Sequence, residues 1–172
     1  EIADVAKVNQ SAADLIKDIN AGTKTLDDLA KAESSIASDL AGESLVTAFM
    51  DVTPIDGGVK LADGRYQVTL SVPALTKGMT DVKVLHFSTA RNVWEVITPS
   101  NVDLNNKELT FEVQDLSPIA IIAKVDASQA VTNTTGTSPK TGVDSTNAVP
   151  FAGAAVVLLG AAAVVAFRKK NA

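Results

Sequence analysis

The sequence predicts an α+β protein: an N-terminal helical hairpin, an antiparallel β-sandwich, then a disordered linker and a C-terminal transmembrane helix. Three observations carry this expectation. Apolar residues recur at helical spacing over residues 1–42 and at alternate positions from Ser44 onward. Periodicity vanishes over residues 127–147, where Thr, Ser, Asn and Gly dominate. Residues 148–167 are then apolar without a single charge.

Residues 2–19 read as an amphipathic helix. Ile2, Val5, Ala12, Leu15, Ile16 and Ile19 share its apolar stripe, while Lys7, Asp14, Lys17 and Asp18 lie elsewhere. Asn20 and Gly22 stop it. Thr25 is the expected N-cap of a second helix, with Asp28 three residues on in a capping-box arrangement. Its stripe is Leu26, Leu29, Ala30, Ile36, Ala37 and Leu40, and Gly42 ends it. Two helices with a short polar connection suggest a hairpin. The stripe has two uses, a partner-binding face or packing on the domain behind it, and packing is the expectation.

Residues 43–126 form the predicted sandwich. A strand over 45–52 leads into the turn 54–58. Residues 65–72 alternate, with Tyr66, Val68, Leu70 and Val72 facing inward and Arg65, Gln67, Thr69 and Ser71 outward. Asp63 and Gly64 supply the turn before that strand, and Pro73 ends it. Further strands are expected at 82–87 and 93–98. Leu109, Phe111 and Val113 alternate with Glu108, Thr110 and Glu112. Residues 119–125 are nearly continuous in apolar character, as in a strand covered on both faces.

Residues 127–147 are too polar to bury a core and read as a linker. The run 148–167 follows, about 20 residues at roughly 1.5 Å each, which matches the roughly 30 Å hydrocarbon layer. Arg168, Lys169 and Lys170 close it within the tail 168–172, and such a cluster stays cytoplasmic, so the preceding chain faces outward.

Ahead of the span stand Ser138, Pro139, Lys140, Thr141 and Gly142. Pentapeptide, apolar span and basic tail together resemble the sorting signal of Gram-positive cell-wall surface proteins, an LPXTG-type motif with Ser138 in the place of Leu. The resemblance implies that a sortase cleaves Thr141–Gly142 and joins Thr141 covalently to peptidoglycan. Thr141 is then a substrate residue and performs no catalysis itself. The membrane is a transient partner through residues 148–167. The residue types suit that role: Pro139 fixes φ and holds Ser138 out of the helical region, and Gly142 admits close backbone approach. The succession GRYQVTLSVPAL, VKVLHF, WEVITP and LTFEVQDLSPIAIIAKV also resembles the small β-sandwich modules of Firmicutes surface proteins. That likeness covers residues 58–125 and carries no binding site with it.

The chain has 172 residues, a formal net charge of −5 and no cysteine. Asp144, Arg168, Lys169 and Lys170 net to +2 after Thr141, leaving −7 on residues 1–141. Such an acidic ectodomain has no electrostatic footprint for nucleic acid. Without cysteine there are no disulfides and no thiolate metal sites. A sorted protein needs an export segment, so Glu1 is expected to begin a mature chain or a fragment.

Candidate chemistry is sparse. His86 is the one histidine and is expected to be a half-buried strand residue, since nothing completes a zinc site. Asp51, Asp56, Asp63 and Asp103 lie in or near turns without EF-hand spacing, and solvated turn acids are the expectation. Trp94 is either a sugar-stacking platform or packed core, and core is expected. Lys60, Lys83 and Lys124 lie on or beside predicted strands with Asn101, Asn105 and Asn106 downstream, which are residue types a pilin-like Lys–Asn crosslink uses, but no pilin motif or acid-bearing signature accompanies them. No metal, no cofactor and no catalytic centre are expected. The role expected is display on the outer face of a Gram-positive wall, adhesin-like or structural, with a host protein or glycan as possible ligand. The alternative is a minor or basal subunit of a sortase-assembled pilus.

Overall fold

A computed structural model describes residues 1–53 and 59–126. The expected turn 54–58, the linker, the span, the sorting residues and the basic tail lie outside the described residues. What is described is a β-rich α+β fold: short helices followed by two antiparallel sheets.

The region expected to hold two helices holds four. Helix α1 (Ile2–Val8) and helix α2 (Gln10–Asn20) are separated by Asn9, whose φ of −151° and ψ of 102° are extended. Asn9 ends the first helix and caps the second, its Oδ1 accepting from Ala12 N at 3.0 Å. A short amide side chain competes with the helical ladder and favours such a break. Helix α3 (Leu26–Ala32) begins with the expected box: Thr25 Oγ1 accepts from Asp28 N at 3.3 Å, and Asp28 Oδ2 accepts from Thr25 N at 3.0 Å. It stops at Glu33, before Ser34 and Ser35, and helix α4 (Ala37–Leu40) follows. Packing is pairwise, α1 on α2 and α3 on α4.

The eight strands are β1 (Ser44–Leu45), β2 (Val59–Lys60), β3 (Tyr66–Ser71), β4 (Met79–Ser88), β5 (Val93–Ile97), β6 (Asn101–Asp103), β7 (Glu108–Val113) and β8 (Ile119–Val125). One sheet has the order β1-β8-β4-β5 and the other β2-β3-β7-β6. The strand expected over 45–52 is cut to two residues by an irregularity just after Leu45: the N–H groups of Val46 and Thr47 both reach Ile121 O, at 2.8 and 3.2 Å, and Thr47 Oγ1 accepts from Ile121 N at 3.0 Å. Asn20 takes both backbone groups of Phe49, donating to its carbonyl at 3.1 Å and accepting from its N–H at 2.7 Å. Pairing resumes at an isolated bridge in which Met50 and Ile119 exchange backbone bonds, so the Phe49 groups that Asn20 takes face away from β8. Strands β2 and β6 were not anticipated, being two and three residues long without apolar alternation.

Two apolar clusters organise the layers. Val68, Leu70, Leu109, Phe111 and Val113 meet Val84, Ile119 and Ile121 between the sheets. On the other face of β4 and β8, Leu85, Phe87, Trp94, Ala120 and Ile122 pack with Val5, Leu15, Ile16, Ile19, Leu29 and Phe49. The helices therefore cover one sheet, and β4 and β8 are buried on both sides. This accounts for the unbroken apolar run in β8. The expected alternation in β3 and β7 also holds: Val68, Leu70, Leu109 and Phe111 are buried.

Candidate functional site

Sequence reasoning placed its strongest site at Ser138–Gly142, with Arg168, Lys169 and Lys170 as the topology signal, and these lie outside the described residues. Among the described residues the singled-out side chains have structural partners. Trp94 is buried and meets Phe49 and Phe87 edge-on, at ring-centroid distances of 5.6 and 5.1 Å, so it is core as expected. Its register position beside Val96 turns it toward the helices. Asp51 accepts from Ile2 N, Asp63 holds Arg65, and Asp103 accepts from the N–H groups of Asn105 and Asn106. Each serves a local turn or cap. Lys60 lies over the Tyr66 ring.

Lys83 and Lys124 belong to an acid–base cluster at one end of β4. Lys83 Nζ is 3.1 Å from Glu43 Oε1 and 3.1 Å from Asp81 Oδ2, and it donates to Asp39 O at 3.4 Å. Lys124 Nζ is 2.7 Å from Asp81. The Glu43 side chain is wholly buried, and its Oε2 has no hydrogen-bond partner among the described residues. Burial raises the Glu43 pKa against the opposing pull of Lys83. Hydrogen bonds from Lys124 and then Lys83 lower the Asp81 pKa to about 2. Asp81 takes a positive φ of 53° at the bulge where β4 slips against β8.

At the other end of β4 lies the second cluster. His86 is fully buried rather than half-buried, because β4 is covered on both faces. Its Nδ1 sits 2.7 Å from Glu95 Oε1, directly across the β4–β5 pair. A carboxylate only accepts, so this nitrogen carries the proton. Arg91 Nη2 reaches the same Glu95 oxygen at 2.5 Å. Burial would raise the Glu95 pKa, but bonds from Arg91 and His86 outweigh it and hold the carboxyl below its usual range. Asp115 accepts from Ser88 Oγ at 2.7 Å and from Ser117 Oγ, which ties the turn after β7 to the turn after β4. From the facing sheet, Arg65 Nη1 bonds Glu112 at 2.6 Å while its Nε bonds Asp63 at 2.6 Å.

Arg65, Arg91, Glu95, Glu112 and Gln114 line an open cleft of about 190 Å³ between the sheets, with Ile97 and Val113 also facing it. An apolar cleft of about 240 Å³ opens at the opposite end, beside Met79, Val82, Val102 and Leu104. The partners of the polar cleft were not read from the sequence. Alternation turns Arg65 and Glu112 outward, but only strand register says which charges meet. No family model matches the chain, and comparison with characterised proteins and with solved structures likewise finds no match.

Proposed function

We propose that this chain is a non-catalytic surface display protein of a Gram-positive cell wall, adhesin-like or structural, joined to peptidoglycan through Thr141 by a sortase. One observation carries the reading: Ser138-Pro139-Lys140-Thr141-Gly142, an uncharged apolar run over 148–167 and Arg168-Lys169-Lys170 follow one another in that order. Each part has its own physical task. In this reading Pro139 disfavours the helical region at Ser138, Gly142 brings no Cβ to obstruct an enzyme, the apolar run is of a length to cross a bilayer, and the basic cluster would retain the tail inside. The folded portion suits display. Among the described residues its two apolar clusters draw on positions 5–123.

The test is chemical. Protein released from the wall by muralytic digestion should end at Thr141, linked to a cross-bridge amine, when analysed by mass spectrometry. Thr141→Ala should leave the protein in the membrane or release it to the medium. Wall-extracted protein that still carries Phe167 and the basic residues would show that sorting does not occur.

A further inference from the structure

We propose that the cleft between the Arg65–Glu112 and Arg91–Glu95 pairs binds the terminal ring of a neutral saccharide, at the end of the molecule pointing away from its tether. The direction rests on the display role proposed above, and the chemistry rests on the cleft itself. Strand β8 runs from Ile119, opposite His86, to Val125, opposite Met79. Seven strand residues cover about 20 Å. The chain leaves at Asp126, whose N–H donates to Gly78 O at 3.1 Å. A tether through the following residues therefore departs from the Met79 end of β4. The opposite end gathers the turn after β4 that carries Arg91, the end of β7 and the start of β3. Ser88 opposite Val93 and Tyr66 opposite Val113 mark those ends within the two sheets, and the cleft is lined from both.

The chemistry of the cleft selects the ligand class. Two guanidinium groups and two carboxylates line it, so their formal charges cancel and a ligand with net charge gains little there. Each group keeps unused capacity, since guanidinium offers five N–H donors and a carboxylate about four lone-pair sites. Gln114 adds an amide that both donates and accepts. A mixed array of donors and acceptors without net charge matches vicinal hydroxyls, each of which also does both. Half-buried Ile97 supplies apolar surface for the C–H face of a ring. The array is braced before any ligand arrives: buried His86 holds Glu95, and Asp63 holds Arg65 from outside the cleft. Bracing lowers the ordering cost of binding. At about 190 Å³ the cleft is smaller than the roughly 300 Å³ where enclosed ligand pockets begin. It admits one ring of a glycan end.

The 172-residue chain, held in detergent, is to be applied to immobilised glycans ending in galactose, N-acetylgalactosamine, N-acetylglucosamine, mannose or fucose, beside sialylated and sulphated counterparts. Retention on at least one neutral terminus is expected, together with competition by the free monosaccharide. Arg91→Ala and Glu112→Gln should each weaken it at least tenfold with circular dichroism and melting unchanged, while Lys124→Ala at the tethered end should leave it unaltered. Failure to retain any neutral terminus, retention confined to acidic glycans, or undiminished binding by both cleft variants would overturn the site. This readout does not depend on Thr141 linkage, so the site and the anchoring stand or fall separately.

Discussion

Glu43 and Asp81 meet the same ammonium group, Lys83, and titrate in opposite directions. Glu43 has a folded pKa above its ordinary 4.5 because burial disfavours the carboxylate. The folded state then holds a proton that the unfolded chain has released, so stability falls as pH rises from about 4.5 through the folded pKa. Asp81 has a folded pKa of about 2, against an ordinary 3.8. Its contribution is fully present above about 4 and is lost as pH falls toward 2. Melting temperature followed against pH should separate the two. Asp81→Asn, which tolerates the positive φ at that position, should make the acid limb between about 4 and 2 shallower, the rest of that limb coming from other carboxylates with lowered pKa, such as Glu95 and Asp115. Glu43→Gln should leave that limb in place and remove the decline above about 4.5. Reversal of the two behaviours would mean that Lys83 is paired differently in solution.

At the scale of elements, one of the side chains that tie the helical layer to the chain beyond it is used twice. Asn20 satisfies both the N–H and the carbonyl of Phe49, while Phe49 packs on Trp94. Asn20→Ala would leave two part-buried backbone groups to find water or go unpaired, a loss of about 1–3 kcal/mol for each group that stays unsatisfied. Chemical denaturation should show that loss, and Asn20→Asp should recover only the half supplied by the N–H of Phe49. Core positions give a second check at this scale. Leu70→Ala and Phe111→Ala should each cost about 2–5 kcal/mol, since both side chains are buried between the sheets. Near-neutral values for both would require the two faces of β3 and β7 to be exchanged.

These elements show what was legible in the chain and what was not. Alternation in β3 and β7, the apolar continuity of β8 and the Thr25–Asp28 cap were readable because each is a local pattern with a local cause. The break at Asn9 escaped because the apolar stripe continues through it, so periodicity alone cannot register a change of backbone angle. The shortened strand after Leu45 escaped because the irregularity at Val46 and Thr47 is set by their pairing with Ile121, 74 residues beyond Thr47, and leaves no mark on the apolar pattern. The polar cleft was hidden for the same reason: Arg65 and Glu112, like His86 and Glu95, meet only through register. Short edges such as β2 and β6 have too few residues to carry a period.

For the whole molecule, the helices and the sheets answer a question of folding. The helix-facing side of the β1-β8-β4-β5 sheet presents Leu85, Phe87, Trp94, Ala120 and Ile122, and the cover over them comes largely from residues 5–40. Removing that cover would expose a contiguous apolar face on two central strands, which soluble monomers rarely tolerate. Residues 1–126 should therefore unfold in one cooperative transition, within a few degrees of the full chain, because both clusters, as described, are made by residues up to Ala123. Residues 43–126 alone should instead associate, bind a hydrophobic dye and lack a sharp melting transition. Tryptophan emission reports on the same boundary. Trp94 is buried at the seam, and its emission should shift to the red when the helices are deleted but not when residues 127–172 are removed. A fragment 43–126 that stays monomeric, melts sharply and keeps a blue-shifted Trp94 would show that the sheets fold independently and that the helices are an addition to a complete body.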